Sequence, residues 1–440
     1  MTDEEKVLPK EDALALARQG KEVWNRWAEE NPGVGIDFSG LNFTTQRISF
    51  AEFIFPGFAD FSFTTFKFND FSSTEFSGGY ANFFGAKFAS EDANFFKAEF
   101  SGGNVDFRGA EVNGGVANFF QAKFSGGYAN FQSAKFKGGS ADFREAKFSK
   151  GRVIFDGVEF SGGHADFRGV EFIGGDVFFR HVSFSGGNVY FSRSIFSKGN
   201  VSFHATVFSK ITSFASTKLK YKSDFTAVVF EGPIDLDSSY FAQVPDFRRS
   251  KLSAHFTLHD MKVDYSTRTK KVWGVFSKAA TDSDADKFRR LKELAVQSRD
   301  HEREQDFFAK ELKAKRYYET TGLSLIPSYL YEWTSDFGRS LWRPALCLGL
   351  TWLIFGLMYG VNGLPYATSV LDPLWNGLKL SLATLVPFAA ISRTAMLESR
   401  EALFRSDVNH LLDFAMVVEG VLAVIFIFLI GLALRNRFRI

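Results

Sequence analysis

From Ala81 to Phe208 the apolar positions recur in a block of about twelve residues that repeats without a slip. One ladder runs Phe83, Phe95, Phe107 and onward at every twelfth residue to Phe203, each member with Ala or Val two positions earlier. A second ladder lies five residues further on, running Phe88, Phe100, Val112, Phe124 and so on to Phe208. Apolar steps of five and seven fit neither an amphipathic helix nor an alternating strand. A fixed period of this kind predicts a solenoid. An apolar centre with a small residue before it and polar residues after it predicts very short strands joined by corners. Phe and Ala then point inward, and Asn, Asp, Lys and Arg point outward.

The copy at residues 117–127 reads ANFFQAKFSGG. The form A(D/N)F-x-x-A-x-F resembles the pentapeptide-repeat family, with Phe at the centre where many members have Leu. The resemblance implies an all-β solenoid, a right-handed quadrilateral β-helix with one five-residue unit per side. The seven-residue steps depart from the family pattern and usually carry Gly-Gly, as at Gly78 and Gly79, Gly102 and Gly103, Gly126 and Gly127, or Gly186 and Gly187. Glycine's tolerance of φ > 0 leads us to expect a widened corner at each pair. Four units then make a coil of about 24 residues with bulges on two opposite corners; a flattened twelve-residue coil leaves little interior for two Phe. The ladder extends back through Phe76, Phe71, Phe66, Phe61, Phe55, Phe50 and Phe43 to Phe38, and forward through Phe214, Leu219, Phe225, Phe230, Leu236, Phe241, Phe247 and Leu252. Residues 36–263 are thus expected to form about ten coils, roughly 50 Å of column at ~4.8 Å per coil.

Residues 1–35 read as an N-terminal capping helix. Residues 10–30 carry Leu14, Leu16, Val23, Trp24 and Trp27 and are closed by Asn31 and Pro32. The stretch WNRWAEENPGVGIDFSG is similar to the leader of many pentapeptide-repeat proteins, and its expected task is to cover the open first coil. A partner-binding helix is the alternative. Residues 264–340 form a linker, with Trp273 in a loop and a charged helix over 283–319. That helix is expected to open at Ser283 with Asp286 in capping-box spacing, and to pack on the column end or mediate an oligomer contact.

Residues 341–440 are expected to be a transmembrane domain. Spans are predicted at 344–362 and 411–434, and the segment 373–391, interrupted by Lys379 and Pro387, reads as re-entrant or interfacial. Tyr329, Tyr331, Trp333 and Trp342 beside Arg339 and Arg343 mark a membrane interface. With two spans, these arginines and Arg435, Arg437 and Arg439 fall on one side, as the positive-inside rule prefers. No signal peptide is visible. The expectation is a multi-pass protein of a bacterial inner (plasma) membrane, with the β-helix and both termini cytoplasmic. The order span, half-embedded segment, span resembles the pore domain of two-transmembrane potassium channels. Thr384, Leu385, Val386, Pro387 and Phe388 stand where that family has the TVGYG ladder, so the resemblance does not extend to potassium selectivity. Glu419, a carboxylate within the second span, is read as lying on a subunit interface or pore lining, with snorkelling or a span that starts later as the alternative.

Composition narrows the chemistry. The chain has 440 residues, a formal net charge of +2 and 55 Phe, and the Phe follow the repeat rather than a nucleic-acid stacking platform. A DNA-mimicking rod, known among pentapeptide-repeat proteins, needs a strongly acidic column, and this one is nearly neutral. Acids predominate over residues 36–112 and bases over 113–222, including Lys135, Lys137, Lys147, Lys150, Arg152, Lys218, Lys220 and Lys222. Solvated corners are the plain reading of these bases, and an anionic partner or lipid surface is the alternative. A single cysteine, Cys347, excludes disulfides and thiolate metal sites and fits a reducing compartment. His164, His181, His204, His255 and His259 have no partner at ligand spacing, and the Gly-Gly pairs lack the GK[ST] of a phosphate loop. No catalytic residues, metal, cofactor or nucleic-acid partner are therefore expected. Two functions remain. One is a homo-oligomeric, channel-like membrane protein, a tetramer by analogy, with a cytoplasmic β-helix that senses or gates. The other is a scaffold anchored in membrane lipid whose β-helix binds a protein partner.

Overall fold

The computed structural model describes residues 6–68, 70–89, 92–252, 255–265, 270–272, 276–279, 281–366, 370–385, 390–404 and 410–438. The chain forms two compact units, Met1–Ala314 and Lys315–Ile440.

The first unit is a β-solenoid with four parallel sheets as its sides. In chain order round a coil, sheet 1 has ten strands ending at Ser223–Asp224, sheet 2 has nine from Asn42–Phe43, sheet 3 has eight from Ala93–Asn94, and sheet 4 has ten from Ile54–Phe55 to Lys262–Val263. Most strands are two residues long, because two residues suffice to exchange ladder bonds before the chain turns. The register Ala81↔Val105↔Ala129↔Val153 fixes a coil of 24 residues in the regular region. The register Val201↔Ser223 fixes a later one at 22, where the Gly-Gly pairs are gone. The sequence expectation of a four-unit coil is therefore met.

Both Phe ladders point inward and are buried from Phe38 to Phe247. Rings from successive coils stack nearly parallel, Phe83 on Phe107 at 4.7 Å and Phe107 on Phe131 at 5.0 Å between centroids. Rings from opposite sides meet edge to face, as Phe83 meets Phe95 at 5.3 Å and 89°. Both geometries suit the aromatic quadrupole.

The corners correct one expectation. Positive φ occurs at the tight five-residue corners, at Phe63, Gly85, Lys97, Gly109, Gln121, Ser133 and Glu145, while neither residue of the four Gly-Gly pairs named above adopts it. At a tight corner the (D/N) of the repeat acts first: Asn82 Oδ1 accepts the Phe84 N–H at 3.1 Å. The Ala86 N–H then closes the turn on Phe83 O at 3.1 Å. The left-handed residue between them occupies the third position of a type II turn. The Gly-Gly pairs serve a different need, which is proximity. A Cβ on Gly102 would lie 2.3 Å from Gly79 N and 2.5 Å from Ser77 O of the preceding coil. Two ridges of bare backbone thus stack at opposite corners.

The first coil is covered by more than the expected single helix. A strand at Val7–Leu8 extends sheet 1, and two helices follow, α1 (Lys10–Ala17) and α2 (Lys21–Glu30), separated at Gly20 with φ 92°. Trp24 is fully buried against Phe38, Phe53 and Phe55, and its Nε1 donates to Ile54 O at 2.8 Å. Asn25 donates to Glu52 O and accepts from Ile54 N, both at 2.9 Å, so the side chain replaces a strand partner. At the far end, after an antiparallel pair Lys270–Val272 and Phe276–Lys278, the predicted charged helix is two helices, α3 (Asp284–Gln297) and α4 (His301–Lys315). The break falls at Arg299, which adopts φ 59°. Ser283 makes no side-chain cap bond, and the Thr281 hydroxyl bonds Asp284 instead. Arg290 donates to Ser250 O and Lys310 to Val263 O, which closes the last coil. Trp273 lies outside the described residues.

The second unit is helical: α5 (Leu325–Ser335), α6 (Trp342–Gly363), α7 (Leu371–Leu385), α8 (Ala390–Phe404) and α9 (His410–Arg437). The predicted spans appear as α6 and α9. The predicted middle segment is α7, residues outside the description, and α8.

Two predictions follow from the corners. Gly102→Ala is expected to cost about 1–3 kcal/mol through overpacking, whereas Gly109→Asn, at φ 64° with nothing within 4 Å of its Cβ position, should stay within about 0.5 kcal/mol of the parent. Thermal unfolding of the full chain measures both. Asp246 is buried, which by itself raises its carboxyl, yet bonds from the Arg248 side chain and backbone outweigh burial and hold it below its ordinary value. Such a group stabilises the fold above the ordinary carboxylate range, and the contribution is lost as pH falls through its lowered value. Asp246→Asn should therefore lower the midpoint at neutral pH and reduce its fall below roughly pH 4.

Candidate functional site in the helical unit

Helix α6 meets α7 at backbone distance. Gly356 and Gly360 lie one turn apart on α6, and a Cβ on Gly377 of α7 would fall 2.3 Å from Gly356 O and 2.5 Å from Gly360 N. Small residues at this spacing let apolar helices approach closely. That approach brings polar side chains together. Trp352 Nε1 donates to Leu378 O at 3.0 Å, and Ser381 Oγ lies 3.0 Å from Trp352 O.

Helix α9 supplies the acid. Glu419 is fully buried, its Oε2 accepts the Tyr359 hydroxyl at 2.8 Å, and its Oε1 is hydrogen-bonded to Ser381 Oγ. Tyr359 and Ser381 are also fully buried, beside Leu380, Leu403, Phe404, Leu412 and Met416. One carboxyl group therefore ties α9 to α6 and α7 inside a single chain. This differs from the sequence reading, which put Glu419 on a subunit interface or pore lining. Its hydrogen-bond partners are Tyr359 and Ser381 of the same chain.

The other predicted site residues lie elsewhere. Thr384 is buried and donates to Leu380 O at 2.9 Å in its own helix, and Leu385 is buried at the end of α7. Val386, Pro387 and Phe388 lie outside the described residues, as does Arg439. Trp333 and Trp342 are 61% and 73% exposed. Arg339 pairs with Asp336 at 2.9 Å, Arg343 donates to Glu332 O at 3.0 Å, and Arg435 and Arg437 end α9 exposed. Arg316, which the sequence did not single out, is buried between Ser328, Glu332 and the Tyr329 ring. Tyr359 and Ser381 were missed too; the spacing of Gly356 and Gly360 was the available signal for the contact that assembles them.

On the column, some of the basic residues pair with acids of neighbouring coils. A surface groove of about 620 Å³ is lined by alternating charges, with Lys123 on Glu99 at 2.6 Å and Lys147 on Glu171 at 3.5 Å. Lys135 and Lys137 both lie 3.8 Å from Glu111, while Lys150, Arg152, Lys218, Lys220 and Lys222 are exposed. His164 Nδ1 accepts the Asn188 N–H at 2.9 Å, and His204 Nδ1 contacts Thr226 Oγ1 at 2.8 Å. These histidines bond between coils, and no group of three metal-ligating side chains occurs among the described residues.

No family model matches the sequence, and no curated protein matches it. Among solved structures the chain is similar to HetL, a pentapeptide repeat protein involved in heterocyst differentiation regulation from the cyanobacterium Nostoc sp. strain PCC 7120. The identity is 12%, covering 54% of this chain and 92% of that one, with a TM-score of 0.27. The β-solenoid assignment rests on the strand register.

Gly377→Ala places its Cβ against the α6 backbone and is expected to destabilise the helical unit by about 1–3 kcal/mol. Proteolysis of α6 and α7 in the full chain should quicken, and an unchanged rate would contradict the contact.

Proposed function

We propose that the protein is a non-enzymatic, membrane-anchored β-solenoid, whose helical unit sits in a bilayer and whose column offers its walls to a protein partner. The observation that carries this reading is the apolar exterior of α6 and α9. Leu346, Leu350, Ile354 and Val361 on α6, and Leu411, Phe414, Val417, Val421 and Phe428 on α9, are each more than half exposed. Such a surface calls for apolar cover. Both helices are long and apolar enough to cross a membrane. At 1.5 Å per residue, α6 extends roughly 33 Å and α9 roughly 42 Å, against ~30 Å of hydrocarbon. Basic residues before α6 and at the end of α9 support a cytoplasmic column in the plasma membrane of a bacterium.

A second reading, a homo-oligomeric channel-like protein with the column as gate, is favoured by one observation. Helix α7 has 15 residues, roughly 22 Å, too short to cross, and lies between two helices of bilayer length. Against it, Thr384, Leu385 and Glu419 are all buried within one chain.

The expected outcome is recovery of the full chain in the membrane fraction after alkaline carbonate washing, with release by detergent. Phe428→Arg should shift a measurable share to the soluble or degraded pool, since a central arginine costs about 3 kcal/mol on insertion. Quantitative recovery of the parent in the supernatant would overturn the proposal. Reconstitution in vesicles separates the two readings: silent bilayers support the anchor, and a leak carried by ring-shaped assemblies supports the channel.

A further inference from the structure

The contacts around Glu419 permit a count of hydrogens. Tyr359 Oη reaches Glu419 Oε2, and Ser381 Oγ touches both Glu419 Oε1 and Trp352 O. A serine hydroxyl has one hydrogen, a backbone carbonyl only accepts, and an ionised carboxylate only accepts. With Glu419 ionised, the single Ser381 hydrogen serves either Glu419 or Trp352 O, and the other close oxygen pair has none between them. With one proton on Glu419 Oε1, every contact is filled: Tyr359 donates to Oε2, Oε1 donates to Ser381, and Ser381 donates to Trp352 O.

The surroundings agree with that count. Tyr359, Ser381 and Glu419 are all fully buried, and an ion in such a place needs a partner of opposite sign. Among the described residues no cation of the packed helices is bonded to Glu419: Lys379 of α7 lies over the Trp375 ring, Arg400 of α8 pairs with Asp413 of α9 at 2.7 Å, and Arg343 of α6, Arg393 of α8 and His410, Arg435 and Arg437 of α9 are exposed. From α6 the only titratable group bonded to the acid is Tyr359.

We propose that Glu419, Tyr359, Ser381 and the Trp352 carbonyl form a proton-binding site, in which Glu419 holds one proton per chain while the bundle is closed. Its loss leaves an unpaired charge in an apolar core and an oxygen contact without a hydrogen. Release of α9 from α6 and α7 then relieves both. Opening therefore releases a proton, and alkaline pH favours the open bundle. This adds a pH-responsive element to either functional reading, because it concerns packing within one chain.

The test uses the full chain in detergent and in phosphatidylcholine vesicles, with Glu419→Gln as the neutral replacement; glutamine can accept from Tyr359 and donate to Ser381. Difference infrared spectroscopy at neutral pH should show one protonated carboxylic acid carbonyl band in the parent, shifted in D2O and absent from Glu419→Gln. Ser381→Ala should retain that band at a changed frequency, which keeps the test sound if the glutamine variant folds poorly. Amide hydrogen exchange in α9, taken as the ratio of parent to Glu419→Gln, should rise with pH by up to about tenfold per unit, the limit for one released proton. Cancelling the intrinsic pH dependence is the purpose of the ratio. No carboxylic acid band assignable to Glu419, or a ratio that stays flat with pH, overturns the proposal.

Discussion

Everything in the first unit depends on one spacing. Parallel strands hydrogen-bond at about 4.8 Å, and flat phenyl rings stacked on one another settle at nearly the same distance, 4.7 Å for Phe83 on Phe107. A coil that satisfies its backbone therefore also satisfies its core, with no adjustment between the two. The same spacing dictates the bare corners, since a side chain at Gly102 would enter the backbone of the coil before it. It also explains the polar inner residues. Thr64 and Thr74 sit where most repeats have Ala, fully buried, and each donates to a backbone oxygen of the preceding coil, Phe38 O and Phe50 O.

The helical unit obeys the opposite arrangement, with large apolar side chains outside and its most polar cluster inside. Glycines bring α6 and α7 so close that hydroxyl, indole and carboxyl groups bond one another directly. An internal polar contact of this kind is an efficient way to fix the rotation of one helix about another.

The sequence made the column legible because a solenoid writes its geometry as a period. The 24-residue coil, the two ladders and the opposite placement of the Gly-Gly corners could all be read before any coordinates. The purpose of those glycines could not, because it depends on how near the next coil lies, a distance no single repeat contains. Helix ends were read less well. The apolar pattern runs on through Gly20, where the chain breaks at φ 92°, and Arg299 adopts a left-handed turn with no residue-level signal. In the helical unit the two long apolar runs were plain, but Glu419 was read by its own chemistry alone. Its partners are 60 and 38 residues away in sequence. Ser381 was hidden in a segment read as re-entrant or interfacial.

Because a coil touches little beyond the coils on either side of it, the column behaves as a ruler with graduations of about 4.8 Å. Duplicating or deleting a whole 24-residue coil would change its reach by one graduation and leave every remaining interface as it was. The two closures, Trp24 at one end and α3 with α4 at the other, fit only the terminal coils. Evolution is thus free to set the distance between whatever the two ends hold by counting coils, independently of what those ends bind.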